Sequence, residues 1–425
     1  MKANLNITLV FLLLSCAPVP YSSTQSGGKD LLFRDFNYEA SIKSVLLYPD
    51  DNIGVPNLQP GTLSLLSQSS LVLEFDYLSE TPESFYARIY HCTKDWKKSN
   101  LSDLEFLQVY NEFNLNDYAY SIDTKVDYIH YRFQLPKVKL PGNYVLIIYR
   151  NNPDDFILSR RFLVFNSRIQ ISLAGNLNTI NPVLMSDHLI EFTLNYQSIP
   201  LDDPMGNISV DIRQNQQWEN YIHDLKANFV REDLKELEFR YFNLENAFKA
   251  SNEFRFFDLR SVLNFGQNVE NVINTGEGFT AILEKEKPRS VQAYGHLNDL
   301  NGKYTLENYD RRNPLTGSEY VNILFTLESE KIIGDVYITG ELTNWGQTSP
   351  MAYNEELKAY TDNLLLKQGW YNYLFKVDSP TLPSYYLEGS HAQTENEYEI
   401  LVYYRDIMKR ADLLLGYKRF IINSR

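Results

Sequence analysis

From Ile42 to Phe165 the chain runs in short stretches in which apolar and polar residues alternate: "IKSVLLYP", "LVLEFDYL", "FYARIYHC", "YIHYRFQLP", "NYVLIIYR" and "RRFLVF". In "HYRFQL", Tyr131, Phe133 and Leu135 alternate with Arg132 and Gln134, so one face packs and the other meets water, the period of a half-buried strand. Turn signals such as Pro141-Gly142 and Asn152-Pro153 separate the runs at the spacing of a sandwich. The pattern predicts an antiparallel β-sandwich over residues 31–166.

A second series follows with "IQISLAG", "LIEFTLNY", "ISVDIRQNQQW", "NEFRFFDLR" and "FTAILEKE", closing at "NGKYTLENYD", which predicts a middle sandwich over 167–313. "RRNPLTGSEY", charged and then Pro- and Gly-bearing, has the composition of a boundary. Strands resume with "VNILFTL", "VYITG", "YTDNLLL", "WYNYLFKVD", "YEILVYYR" and "RFIIN", a C-terminal sandwich over 314–425. The expected fold class is all-β: three β-sandwich domains in series, immunoglobulin/fibronectin-like and then early-set-like. Only "SDLEFLQVYNEF" and "ENAFKA" suggest helices, both short.

The first thirty residues break the pattern. Lys2 precedes an apolar core from Ile7 to Leu14, too short to cross a bilayer and of the length of a signal peptide's middle region. Its end, "LLSC", resembles a bacterial lipobox, with Leu13 three residues before the cysteine and small Ser15 just before it. Residues 1–16 are therefore expected to be a lipoprotein signal peptide with Cys16 the lipidated residue, and 17–30, bearing Pro, Ser and Gly, a tether. Acyl chains on Cys16 would attach the protein to a membrane, each buried methylene contributing about 0.8 kcal/mol. No acidic run follows Cys16, which favours an anchor facing the periplasm.

The net charge of −14, from 54 acidic and 40 basic residues, argues against nucleic-acid binding, which needs an accumulated positive patch. It argues equally against adsorption to anionic headgroups. Only two cysteines occur, so with Cys16 lipidated Cys92 is left without a partner and stability must come from packing. The 31 Tyr and 24 Phe suit pleated, half-buried surfaces.

No catalytic constellation is visible. HExxH, GxSxG and GxxxxGK[ST] are absent, and the GxG at Gly276 and Gly278 lacks a third glycine. The six histidines, His91, His130, His188, His223, His296 and His391, include no pair at metal-ligand spacing. In "HCTKDW", His91 and Cys92 are neighbours on a strand and point to opposite faces, so an inert buried thiol is expected. The pairs Asp50-Asp51 and Asp154-Asp155 fall in loop-like stretches. The expectation is a protein without catalytic residues, metal or cofactor.

Two resemblances add to this reading. "VYITGELTNWG" and "GWYNYLFKVD" resemble the glycogen- and starch-binding early-set family, in which the Trp of an Asn-Trp turn stacks on a sugar. That role transfers only to Trp345, beside Asn344, because Leu374 replaces the basic residue of the last strand and no second Trp follows Asp378. More broadly, "ARIYHCTKDWKKSNLSDLEFL", "NDYAYSIDTKVDYIHYRFQLP", "PGNYVLIIYR", "VDIRQNQQWENYIHDLKANF", "SNEFRFFDLRSV", "DLNGKY", "TENEYEILVYYR" and "DLLLGY" resemble, in order from about residue 31, the type IX secretion system plug proteins of the Bacteroidota. That resemblance implies a non-enzymatic subunit closing the periplasmic mouth of a giant outer-membrane translocon β-barrel. Its location would be the periplasmic side of the outer membrane, held by the lipid anchor. The alternative is a glycan-binding outer-membrane lipoprotein using Trp345.

Overall fold

The computed structural model describes residues 29–51, 58–175, 185–311, 313–346 and 348–424. The signal peptide and Cys16 lie outside the described residues, as does the tether up to residue 28.

Within those residues the chain is all-β, with two α-helices of a single turn and a 3-10 turn at Glu341–Thr343. The first sandwich pairs a four-stranded sheet of Ile42–Pro49, Leu71–Tyr77, Ile129–Gln134 and Asp117–Tyr120 with a sheet built on Tyr86–Cys92, Gly142–Tyr149 and Phe156–Phe165. Gly142–Tyr149 is buried along its whole length because both its faces are covered. Tyr144, Leu146 and Ile148 enter the inter-sheet core. Val145, Ile147 and Tyr149 face the other way, beneath Leu31, Phe33 and Tyr38 of the N-terminal segment. The expected helix in "SDLEFLQVYNEF" is the turn Asp103–Phe106, whose Ser102 and Glu105 form a capping box. "ENAFKA" corrects the other expectation: Ala247–Lys249 is a strand, paired with Asp187–Leu189, because tertiary pairing overrides weak local preference.

The remaining sandwiches are nested, not in series. Ile208–Gln214 pairs along its length with Asn396–Asp406, which in turn pairs with Ala411–Ile422. The last two strands of the chain therefore complete the middle sandwich. Conversely, Arg255–Asp258 pairs with Trp370–Asp378, and Phe279–Leu283 runs parallel to Tyr320–Glu328, so these belong to the third sandwich. The expected boundary at "RRNPLTGSEY" is an internal connection of that third unit, between Tyr304–Thr305 and Tyr320–Glu328. The division 167–313 and 314–425 is corrected accordingly. Alternation along a strand specifies which face is buried but not which strand lies alongside, and here the paired residues Gln214 and Tyr398 are 184 residues apart.

The two chain crossings into the inserted unit run side by side. Asn252 Nδ2 donates to Glu388 O at 2.9 Å, His391 N to Ser251 O at 2.8 Å, and Asn396 Nδ2 to Ala250 O at 2.8 Å. An insertion whose ends meet in this way is readily accommodated by its host. The first and middle sandwiches share one continuous apolar core, and a smaller cluster of Leu163, Trp218, Leu401, Tyr403 and Leu414 seals their contact.

Nesting makes a specific demand on truncations. A chain ending at residue 394 loses both C-terminal strands and exposes Ile208–Gln214, so the middle sandwich is expected not to fold. Serial domains would instead leave that sandwich intact. Calorimetry of the truncated chain separates the cases, since retention of all the transitions of the full chain except that of the third unit would contradict nesting.

Candidate functional site

The chemistry of this molecule is concentrated where the three sandwiches meet. Asp76 on Leu71–Tyr77 and Lys367 on Ala359–Lys367 belong to the first and third sandwiches, and neither is exposed beyond 1%. Lys367 Nζ reaches Asp76 Oδ2 at 2.7 Å, and the Tyr320 hydroxyl donates to the same oxygen at 2.6 Å. The other oxygen accepts from His130 Nδ1 at 2.8 Å. Lys367 also donates to Leu315 O at 2.6 Å and lies 4.2 Å from the centroid of the Tyr128 ring. Burial alone would raise the Asp76 pKa, but the Lys367 ammonium and the His130 hydrogen bond hold it below the ordinary carboxylate range.

A second constellation lies at the junction of all three units, around a cavity of about 110 Å³. Arg213 pairs bidentately with Glu399 at 2.5 and 2.9 Å, both fully buried, and its guanidinium sits 4.3 Å from the centroid of the Trp218 ring. Arg161 stacks on Trp218 from elsewhere at 5.1 Å, and Trp96 meets the same indole edge-on at 4.7 Å. Arg160 is buried without a carboxylate in ion-pair range among the described residues, donating instead to Asn37 Oδ1 at 2.6 Å and Asn344 Oδ1 at 3.4 Å. Lys303, equally buried, donates to Leu58 O at 2.7 Å and stands 4.0 Å from Glu397. Glu341 faces these cations with Oε2 unbonded, and burial pushes its pKa up to about 7.

Trp345 lines this junction cavity. The turn that carries it places Asn344 and Trp345 at φ +48° and +61°. The indole packs edge-on to Phe254, centroids 6.0 Å apart, and onto Gly302, where φ is +84° and an added Cβ would collide with both rings. The sequence singled out Trp345 but not its neighbours. Arg160, Lys303, Glu341, Asp76 and Lys367 were missed, since a lone charged residue in a strand reads as its solvated face. An inward charge flanked by apolar residues, as at "EFDYL" and "LLLKQGW", is the one signal available.

Cys92 is fully buried, its thiol pushed up to about 12 by desolvation, and His91 lies against Tyr144 and Phe106 with its pKa lowered to about 4 by burial. The histidines are dispersed: His188 bonds Tyr398, and His223 lies between Asp95 and Asp211 at 2.9 and 3.0 Å. Among the described residues no group of three His, Cys, Asp or Glu is placed to hold a metal ion.

Residues 42–166 match the family model described as "Type 9 secretion system plug protein 1st domain". The chain is also similar to a solved structure, that of a hypothetical protein from Parabacteroides merdae ATCC 43184, with a TM-score of 0.84 and 27% identity over 92% of this chain and 100% of that one. No curated protein matches the chain.

Removing one partner of the Asp76–Lys367 pair leaves a buried charge uncompensated. Asp76→Asn and Lys367→Met are each expected to destabilise the fold by about 3–5 kcal/mol, and the double variant by much less than their sum. Urea unfolding of the three variants measures this. Additive losses would show that the pair does not act as a unit.

Proposed function

We propose that this chain, whose residues 42–166 match the family model of the type 9 secretion system plug protein's first domain, serves type 9 secretion in the cell envelope as the stopper of the translocon. In this reading it is a non-enzymatic subunit that occupies the periplasmic mouth of the giant outer-membrane β-barrel when no cargo is in transit. The match over residues 42–166 carries the reading.

The architecture suits the task. A pore wide enough for folded proteins leaks unless something large and stiff fills its opening. A core shared by the first and middle sandwiches, a nested insertion and the buried Asp76–Lys367 pair between the first and third make the three move as one block, because breaking any of these contacts exposes charge or apolar surface. The loops at the sandwich ends supply the docking surface. A stopper must also leave, so its contact with the barrel is of ordinary size with a polar rim, not an obligate core-like interface.

Deleting the gene product from its host is expected to make the outer membrane leaky to ions, and the tagged chain, purified in mild detergent, is expected to bring down a very large barrel protein. An outer membrane that stays tight after deletion would defeat the reading. Acylation of Cys16 would hold the stopper beside its pore and raise its effective concentration there. Palmitate labelling is expected in the native chain and absent after Cys16→Ala; label that persists in the variant would remove the anchor from the proposal.

A further inference from the structure

A cavity of about 340 Å³ lies between the first and third sandwiches and plays no part in the stopper reading. Its volume is in the range of small-molecule sites. One wall is a β-bulge. The pairing of Ile42–Pro49 with Leu71–Tyr77 shifts register between Lys43 and Leu46, and Ser44 takes a left-handed φ of +49°. Bulges re-aim side chains, and a non-glycine residue held at positive φ stores strain that the surroundings must offset. Here the bulge sets the Ser44 hydroxyl 2.8 Å from the Tyr320 hydroxyl and Lys43 on the cavity wall.

Lys43 is the unusual group. It is cross-strand neighbour to Asp76, yet that carboxylate is already taken by Lys367, Tyr320 and His130. No carboxylate lies within ion-pair distance of Lys43 among the described residues, and desolvation alone lowers its pKa. Glu39, the other acidic group on the near wall, is neutralised by Arg150 and Lys29. On the far wall Glu341 turns its carboxyl to Lys303 and Arg160 and not to Lys43, and Asn344 follows it in the lining.

We propose that this cavity binds a small carboxylate-bearing ligand, with the carboxylate paired to Lys43 Nζ and the ligand's hydroxyl or amide groups reaching the Ser44 hydroxyl on the same wall. The ligand would complete the partnership that the strand bulge leaves open. It would also bridge two sandwiches, so occupancy stabilises their contact. The site depends on the cavity's own groups and stands or falls separately from the stopper function.

Two sources of such a carboxylate are distinguishable by calorimetric titration of the full chain. The probes are digalacturonate and tri-alanine, each compared with its methyl ester or C-terminal amide. At least one free acid is expected to bind saturably and to raise Tm, with its blocked form about tenfold weaker or worse, the loss of a hydrogen-bonded charge pair. Binding by digalacturonate alone identifies a sugar acid, and by tri-alanine alone a peptide terminus. Lys43→Met, which keeps the stem and removes the charge, is expected to lose the preference for the free acid, and Lys43→Arg to keep it. If neither acid binds at millimolar concentration, or acid and blocked form bind alike to the unaltered chain, the proposal fails; the second comparison needs no variant to fold.

Discussion

Asp76 is a carboxylate with no exposed surface, set in the sheet of one sandwich and neutralised by a lysine from another. Such a group imposes a condition on everything around it. Left alone in a low-dielectric interior it would cost several kcal/mol, so the first sandwich is well formed on this face only when Lys367, Tyr320 and Leu315 of the third are in place. Lys367 and Tyr320 of the third sandwich converge on one oxygen while His130 of the same sheet holds the other, so the carboxylate is fixed in orientation and the facing sheet is held to it at two points. An apolar contact of the same area would tolerate sliding. The ion pair is thus better understood as a specifier of arrangement than as a source of net stability.

The nested chain path makes the same demand topologically. The middle sandwich cannot close until Asn396–Asp406 returns to pair with Ile208–Gln214, and the intervening segment contains the whole third unit. Pairings this distant are entropically expensive to form and are rewarded only when the insert has brought its two ends together, as the bonds of Asn252, His391 and Asn396 show. Chain topology and buried charge therefore converge on one outcome, a molecule whose three sandwiches are not independent.

The strands were legible in the sequence because period-two alternation is a local property: "IKSVLLYP" is the strand Ile42–Pro49, and "YIHYRFQLP" contains Ile129–Gln134. Their assignment to domains was not legible. "YEILVYYR" and "RFIIN" follow the third sandwich in the chain and carry no mark of belonging to the second, since nothing in a strand's own pattern names its neighbour. The buried charges were hidden for a related reason. Asp76 reads as the polar member of an alternating run, and only a second sheet arriving on that face turns it from solvated to buried. Trp345 was legible as a residue of interest, but whether its ring meets a ligand or a neighbouring strand is decided by groups far off in sequence.

Those groups explain what the Asn344-Trp345 turn does here. Two successive residues at positive φ project the indole away from its own sheet, which on an isolated sandwich would offer a free aromatic face. In this chain the insertion brings Phe254 and Gly302 against it, and Gly302 has no side chain to keep the ring off. Asn344 meanwhile accepts from Arg160 of the first sandwich. One turn therefore touches a guanidinium of the first sandwich and the segment that leads out of the second. The same backbone geometry that could display an aromatic to a sugar here sets it at a three-way junction, and its surroundings there are decided by what the nested topology places opposite.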